Sequence, residues 1–158
     1  MNVSGLLGRK LAIYLAAVVT TYLLATATAS LHVASRLDAM GVTPGFSGRL
    51  SMIGHDLIGM AGVFLPLIAA ALLVAFLVTA LLVYLLRRAR VLLYVLAGAV
   101  AMVALHLAMN AAFGLTAVAI ARSTGGLVAQ ALAGAAGGFV YVYLNRRLGA
   151  RVIDPIDA

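Results

Sequence analysis

Three imidazoles, His32, His55 and His106, and the carboxylate of Asp56, next in sequence to His55, are the side chains of this chain best suited to ligand chemistry. Together they form a donor set that zinc or copper would accept, since imidazole suits both metals. His32 and His106, on separate helices, could equally serve as the two axial ligands of a b-type haem. Local spacing supports neither arrangement. No two histidines stand at i, i+4, and no His-Glu-x-x-His run occurs. A haem- or metal-binding redox subunit is therefore the second reading, with no cofactor favoured and no metal ligand assigned beyond these three histidines.

Asn110 follows His106 by one helical turn on the same face. Polar groups turned toward hydrocarbon are costly, so both are expected to face protein. The plain account of His106 is a neutral ring bonded to Asn110 or to a facing threonine. With His32, His55 and Asp56, these two residues make up the candidate polar centre.

Other chemistries are excluded by what is missing. Without cysteine there is no disulfide, thiolate metal site, covalently attached haem or cysteine nucleophile. Without glutamate, paired-carboxylate catalysis would fall to Asp38 and Asp56. These read instead as a loop charge and a charge at a helix start, where the dipole favours an anion. His55 and Asp56 are adjacent and so point about 100° apart on a helix, which disfavours a catalytic pair. The chain carries no phosphate-binding glycine loop with its lysine and no Gly-x-Ser-x-Gly elbow. It reads as non-enzymatic, with no catalytic residue.

The elements that must position these groups follow from composition. Of 158 residues, 65% are hydrophobic and 9% charged, and the mean hydropathy is +1.17. A bilayer core about 30 Å thick takes roughly 20 apolar residues per helical crossing. Four crossings with short loops use up the chain. The expected fold is all-α: an integral membrane four-helix bundle in up-down-up-down order, a single transmembrane domain over 1–158, with spans at about 11–33, 57–86, 91–113 and 125–144.

The apolar stretch from Leu11 outruns a signal-peptide core, so Ala27-Thr28-Ala29 is read as helix and not as a cleavage site. Residues 34–50 are expected to form the first loop, with Gly41, Pro44, Gly45, Ser47 and Gly48 as breakers. Ser51 can cap a second helix that begins before the membrane, and Pro66 offers that helix a place to kink. Arg87, Arg88 and Arg90 end it. The third span follows after almost no loop, as in a helical hairpin. Residues 114–124 form the last connector, and the tail from Val152 is expected to fray.

Charge sets the orientation. With both termini inside, Arg9, Lys10, Arg87, Arg88, Arg90, Arg146, Arg147 and Arg151 face the cytoplasm, eight basic residues against three, Arg36, Arg49 and Arg122, outside. The expected location is a bacterial inner membrane with both termini cytoplasmic. All three histidines then lie toward the outer side. The net charge of +7 is read as attraction to anionic headgroups, not to nucleic acid.

The fourth span carries two rows of small residues: Gly125, Ala129, Ala133 and Gly137, and beside them Gly126, Gln130, Gly134 and Gly138. Such rows let helix backbones approach closely, here within the chain in preference to a homo-oligomer. The first span carries Thr21, Ala25, Thr28, His32 and Ser35 on one face. Its hydroxyls are expected to bond their own helix carbonyls. Most of the six tyrosines fall near span ends, as an interfacial belt requires.

The function expected is that of a small non-enzymatic membrane protein binding a lipid-like ligand or a partner membrane protein. A third reading is a small transporter or oligomeric channel, with Thr21, Thr28, His106, Asn110 and Gln130 along a polar route.

Overall fold

The computed structural model describes residues 3–41, 45–86, 89–113 and 124–149, and these are helical apart from short connections. The helices are α1 (Val3–Ala39), α2 (Phe46–Gly59), α3 (Ala61–Leu86), α4 (Arg90–Phe113) and α5 (Thr124–Gly149). Four of them, α1, α3, α4 and α5, are long and apolar enough to cross a membrane. The tail beyond residue 149, the connector at 114–123, and Arg87 and Arg88 lie outside the described residues.

Two boundaries differ from the sequence expectation. The first helix does not stop at residue 33: Ala34–Ala39 contains neither glycine nor proline, and α1 continues through it. Gly41 ends it with φ 83, a left-handed conformation that glycine adopts without penalty. At 37 residues and about 1.5 Å per residue, α1 is roughly 55 Å long, well beyond a bilayer core.

The second helix is divided in two. The break falls at Met60 and not at Pro66, which lies inside α3. Gly59 and Gly62 flank the break, and glycine is the weakest helix former after proline. The carbonyls of a helix's last turn lack intrahelical donors, and α1 supplies one. The Tyr22 hydroxyl donates to the Leu57 carbonyl at 2.5 Å. Farther down α3, Tyr14 donates in the same way to the carbonyl of Ala69.

Helix α5 packs most extensively against α4 and then against α1, while α3 packs on α4 and more lightly on α1. Glycines permit the closest approaches. A Cβ at Gly98 of α4 would overlap the carbonyl of Gly134 of α5, and the reverse also holds. One turn away, a Cβ at Gly138 would overlap the Tyr94 carbonyl. On the other side of α5, a Cβ at Gly137 would meet the Thr21 hydroxyl. Both small-residue rows are thus occupied within the chain from Ala129 onward, with Ala133 buried and Ala129 against the core. Gly125 is the exception, exposed with open space around it.

Ile68, Leu72, Met102, Val18 and Val142 are completely buried between the helices. Phe76, Tyr94 and Tyr141 form an aromatic knot joining α3, α4 and α5, with ring centroids 4.6 to 5.6 Å apart. Tyr94 therefore belongs to the core, whereas Tyr84 and Tyr143 are exposed as belt residues would be.

Candidate functional site: a buried polar centre

The polar side chains of α1 divide between two faces. On one, Thr21 Oγ1 donates to the Ala17 carbonyl at 3.0 Å and Thr28 Oγ1 to Leu24 at 2.8 Å, as expected for helix hydroxyls. Ser35 likewise donates to the His32 carbonyl at 2.8 Å. Gln130 of α5 reaches this face and donates from Nε2 to the Ala25 carbonyl at 2.9 Å. The other face carries Tyr22, Thr26 and Ser30 at four-residue spacing. Ser30 donates to the Asp56 carboxylate at 2.6 Å and shares its hydroxyl with the Thr26 carbonyl at 3.0 Å.

Asp56 thus lies in the last turn of α2, not at a helix start as its sequence position suggested. The dipole there opposes a carboxylate, and the Ser30 hydroxyl offsets that with a charge-assisted bond. Asp38 is no free loop charge either. It ends α1 and pairs with Arg49 of α2. These two contacts and the Tyr22 bond hold α2 along the C-terminal half of α1.

His106 is buried in α4, 3% exposed. Its Nδ1 lies 2.8 Å from the Met102 carbonyl, which only a protonated nitrogen can bond. That leaves Nε2 of the neutral ring as an acceptor. Phe64 of α3 packs edge-on against the imidazole at 5.9 Å and also touches Tyr22 of α1 at 6.3 Å. His106 Nε2 itself is buried without a partner, as are Gln130 Oε1 and Thr26 Oγ1.

These three atoms come from α4, α5 and α1. A Cβ on Gly134 would abut the Met102 side chain. Gln130 lies one turn from Gly134 and His106 one turn from Met102, so the two polar side chains occupy neighbouring levels of facing helices. Buried polar atoms are nearly always paired. His106 Nε2 and Gln130 Oε1 are acceptors without a donor, whereas the Thr26 hydroxyl lies on the other face of α1.

The remaining expected site residues lie elsewhere. Asn110 does not share the burial of His106: the covered stripe of α4 runs through Met102, Leu105, His106 and Met109 and leaves Asn110 exposed on its border. His55 is exposed on α2. His32 is half-buried and accepts a long hydrogen bond, 3.4 Å, from Arg36 Nε. Among the described residues no three histidine or acidic side chains gather as a metal would require. The donor set of His32, His55, His106 and Asp56 is therefore not assembled. Sequence reasoning missed Thr26 and Ser30, and it named Gln130 for the small-residue row and for a transport route but not for the polar centre. The signal for the first two was there, a polar stripe of period four through Tyr22, Thr26 and Ser30.

Compared with known protein families, curated proteins and solved structures, the chain matches none.

Proposed function

We propose that this chain is an integral membrane protein of the bacterial inner membrane, with four crossings in up-down-up-down order and both termini cytoplasmic. In our reading it is non-enzymatic and binds a lipid-like ligand whose polar head supplies donors to the centre around His106 and Gln130. Alternating contact registers support the order of crossings. Gly98 meets Gly134 while Tyr94 meets Gly138, and Phe64 meets His106 while Phe76 meets Tyr94. In each pair one helix ascends as the other descends. The charge asymmetry of the sequence supports the orientation.

The observation that carries the ligand reading is the orphaned His106 Nε2, a buried acceptor within an apolar span. An ionisable residue in such a place marks a functional site by default. A hydroxyl- or amine-bearing head between apolar walls would satisfy it, and the same head could serve Gln130 Oε1. The wholly intramolecular use of Gly134, Gly137 and Gly138 favours a ligand over a partner protein as occupant.

The test is mass spectrometry of lipids retained by detergent-purified protein, wild type against His106→Phe and Gln130→Leu. A stoichiometric amphiphile present in the wild type and lost from both variants, with the helical fold intact, is the expected result. Wild-type protein that carries no such molecule, or variants that retain it, would refute the reading.

A further inference from the structure

We propose that the depression at the C-terminal end of α1 seats an anionic group, a phosphate or a carboxylate, gripped by Arg36 with His32 behind it. This site lies about three helical turns along α1 from the level of Gln130, so it is separate from the centre around His106 and does not depend on the ligand proposed there. The site is a shallow, open depression along one face of α1 and its end, lined by His32, Ser35, Arg36, Ala39 and Met40. Its polar side is a cation. Arg36 Nε is engaged by the His32 ring, which leaves the two-pronged terminal nitrogens, the end of a guanidinium that matches carboxylate and phosphate oxygens.

Among the described residues Arg36 has no acidic partner, because Asp38, the nearest acid in sequence, is taken by Arg49. Ser35 gives its proton to the His32 carbonyl, so the donors at this site are those of Arg36. The apolar side, Ala39 and the exposed Met40, suits the first carbons of an acyl or glyceryl chain. Since α1 is far longer than a hydrocarbon core requires, its last turns emerge at the depth of lipid headgroups. A solvated guanidinium there attracts anions.

The chain has no cysteine, so Ala39→Cys labelled with an environment-sensitive dye reports on this end of α1, away from the basic residues at the opposite helix ends. The full-length labelled protein, in neutral detergent, is titrated with phosphatidylglycerol, phosphatidylcholine and inorganic phosphate. Saturable emission change with phosphatidylglycerol, weakened about tenfold by Arg36→Gln and not produced by phosphatidylcholine, is the expected result.

A response to inorganic phosphate with the same Arg36 dependence would identify the source as a free anion, and silence there would identify a headgroup. Equal responses in the presence and absence of Arg36, or to both lipids, would overturn the proposal. Helical content and melting temperature of Arg36→Gln, matched to the wild type, separate binding from folding. If His106→Phe loses its retained amphiphile while Arg36 proves irrelevant, this inference fails alone. If the wild type retains no amphiphile yet titrates as described, the ligand reading fails and the anion site stands.

Discussion

The amide of Gln130 is satisfied at its nitrogen and orphaned at its oxygen, so its replacements separate structural from functional roles. Leucine has a similar volume, removes the orphan together with the interhelical bond to Ala25 and a longer one, 3.5 Å, to Thr28, and leaves the Ala25 carbonyl with its own helical donor. Interhelical hydrogen bonds in membranes are worth about 0.6 kcal/mol on average. Gln130→Leu is therefore expected to change stability by less than about 1 kcal/mol in detergent thermal melts. Gln130→Glu instead sets a carboxylate against that carbonyl and is expected to cost about 3 kcal/mol, the order found for a charge at a span centre. His106→Ala removes the ring that Phe64 abuts and opens a cavity, for an expected loss of about 2 kcal/mol. The metal content of the purified protein, read by elemental analysis, is expected to stay the same. A stoichiometric metal or a Soret band that vanishes with His106 while the fold survives would put the redox reading ahead of the ligand reading.

The helices of this chain are joined by glycines whose roles differ sharply with position. Gly134→Ala puts a methyl group into the Gly98 carbonyl, backbone against backbone, and forces α4 and α5 apart. An overpacking cost of about 1–3 kcal/mol is expected in chemical or thermal unfolding. Gly125→Ala, with open space around it, is expected to be neutral or to stabilise by up to about 1 kcal/mol through helix propensity. At the turn into α4, Ala89 holds φ 54, a left-handed conformation that disfavours any side chain. Ala89→Gly is expected to raise stability by about 1 kcal/mol, and an unchanged or lower melting temperature would show that the turn does not need it. The four long helices were legible because each is an apolar run long enough to cross a membrane. Their ends were not, since Ala34–Ala39 reads equally well as loop or helix until Gly41 is seen to stop it. The small-residue rows of α5 were visible in sequence, but Gly98, their partner, stands as a single glycine within an apolar span. The contact of Ser30 with Asp56 joins residues 26 apart, and no local pattern could announce it. Asn110 was misplaced because four-residue spacing gives a shared face but not where that face's cover ends.

For the molecule as a whole, the decisive matter is which helix ends share a side of the membrane. The proposed order places Ser47 of α2 at the outer surface and both Leu86, the end of α3, and Leu148, near the end of α5, in the cytoplasm. All three side chains are exposed, and a chain without cysteine accepts one at each position as a unique label site. In intact cells an impermeant thiol reagent is expected to modify Ser47→Cys and to spare Leu86→Cys and Leu148→Cys, which become reactive only after permeabilisation. The physical reason is the excess of basic residues flanking those two ends, whose transfer across the membrane is opposed. Neutralising Arg146 and Arg147 together is expected to weaken that bias without reversing it, because Arg9, Lys10 and the basic turn before α4 remain. Labelling of Ser47→Cys and Leu86→Cys from the same side would mean that α3 does not cross. The antiparallel registers joining Phe64 to His106 and Phe76 to Tyr94 would then describe a hairpin lying elsewhere than through a bilayer. The burial of His106, which comes from the chain's own helices, would stand, and the lipid-like occupant would lose its route of entry.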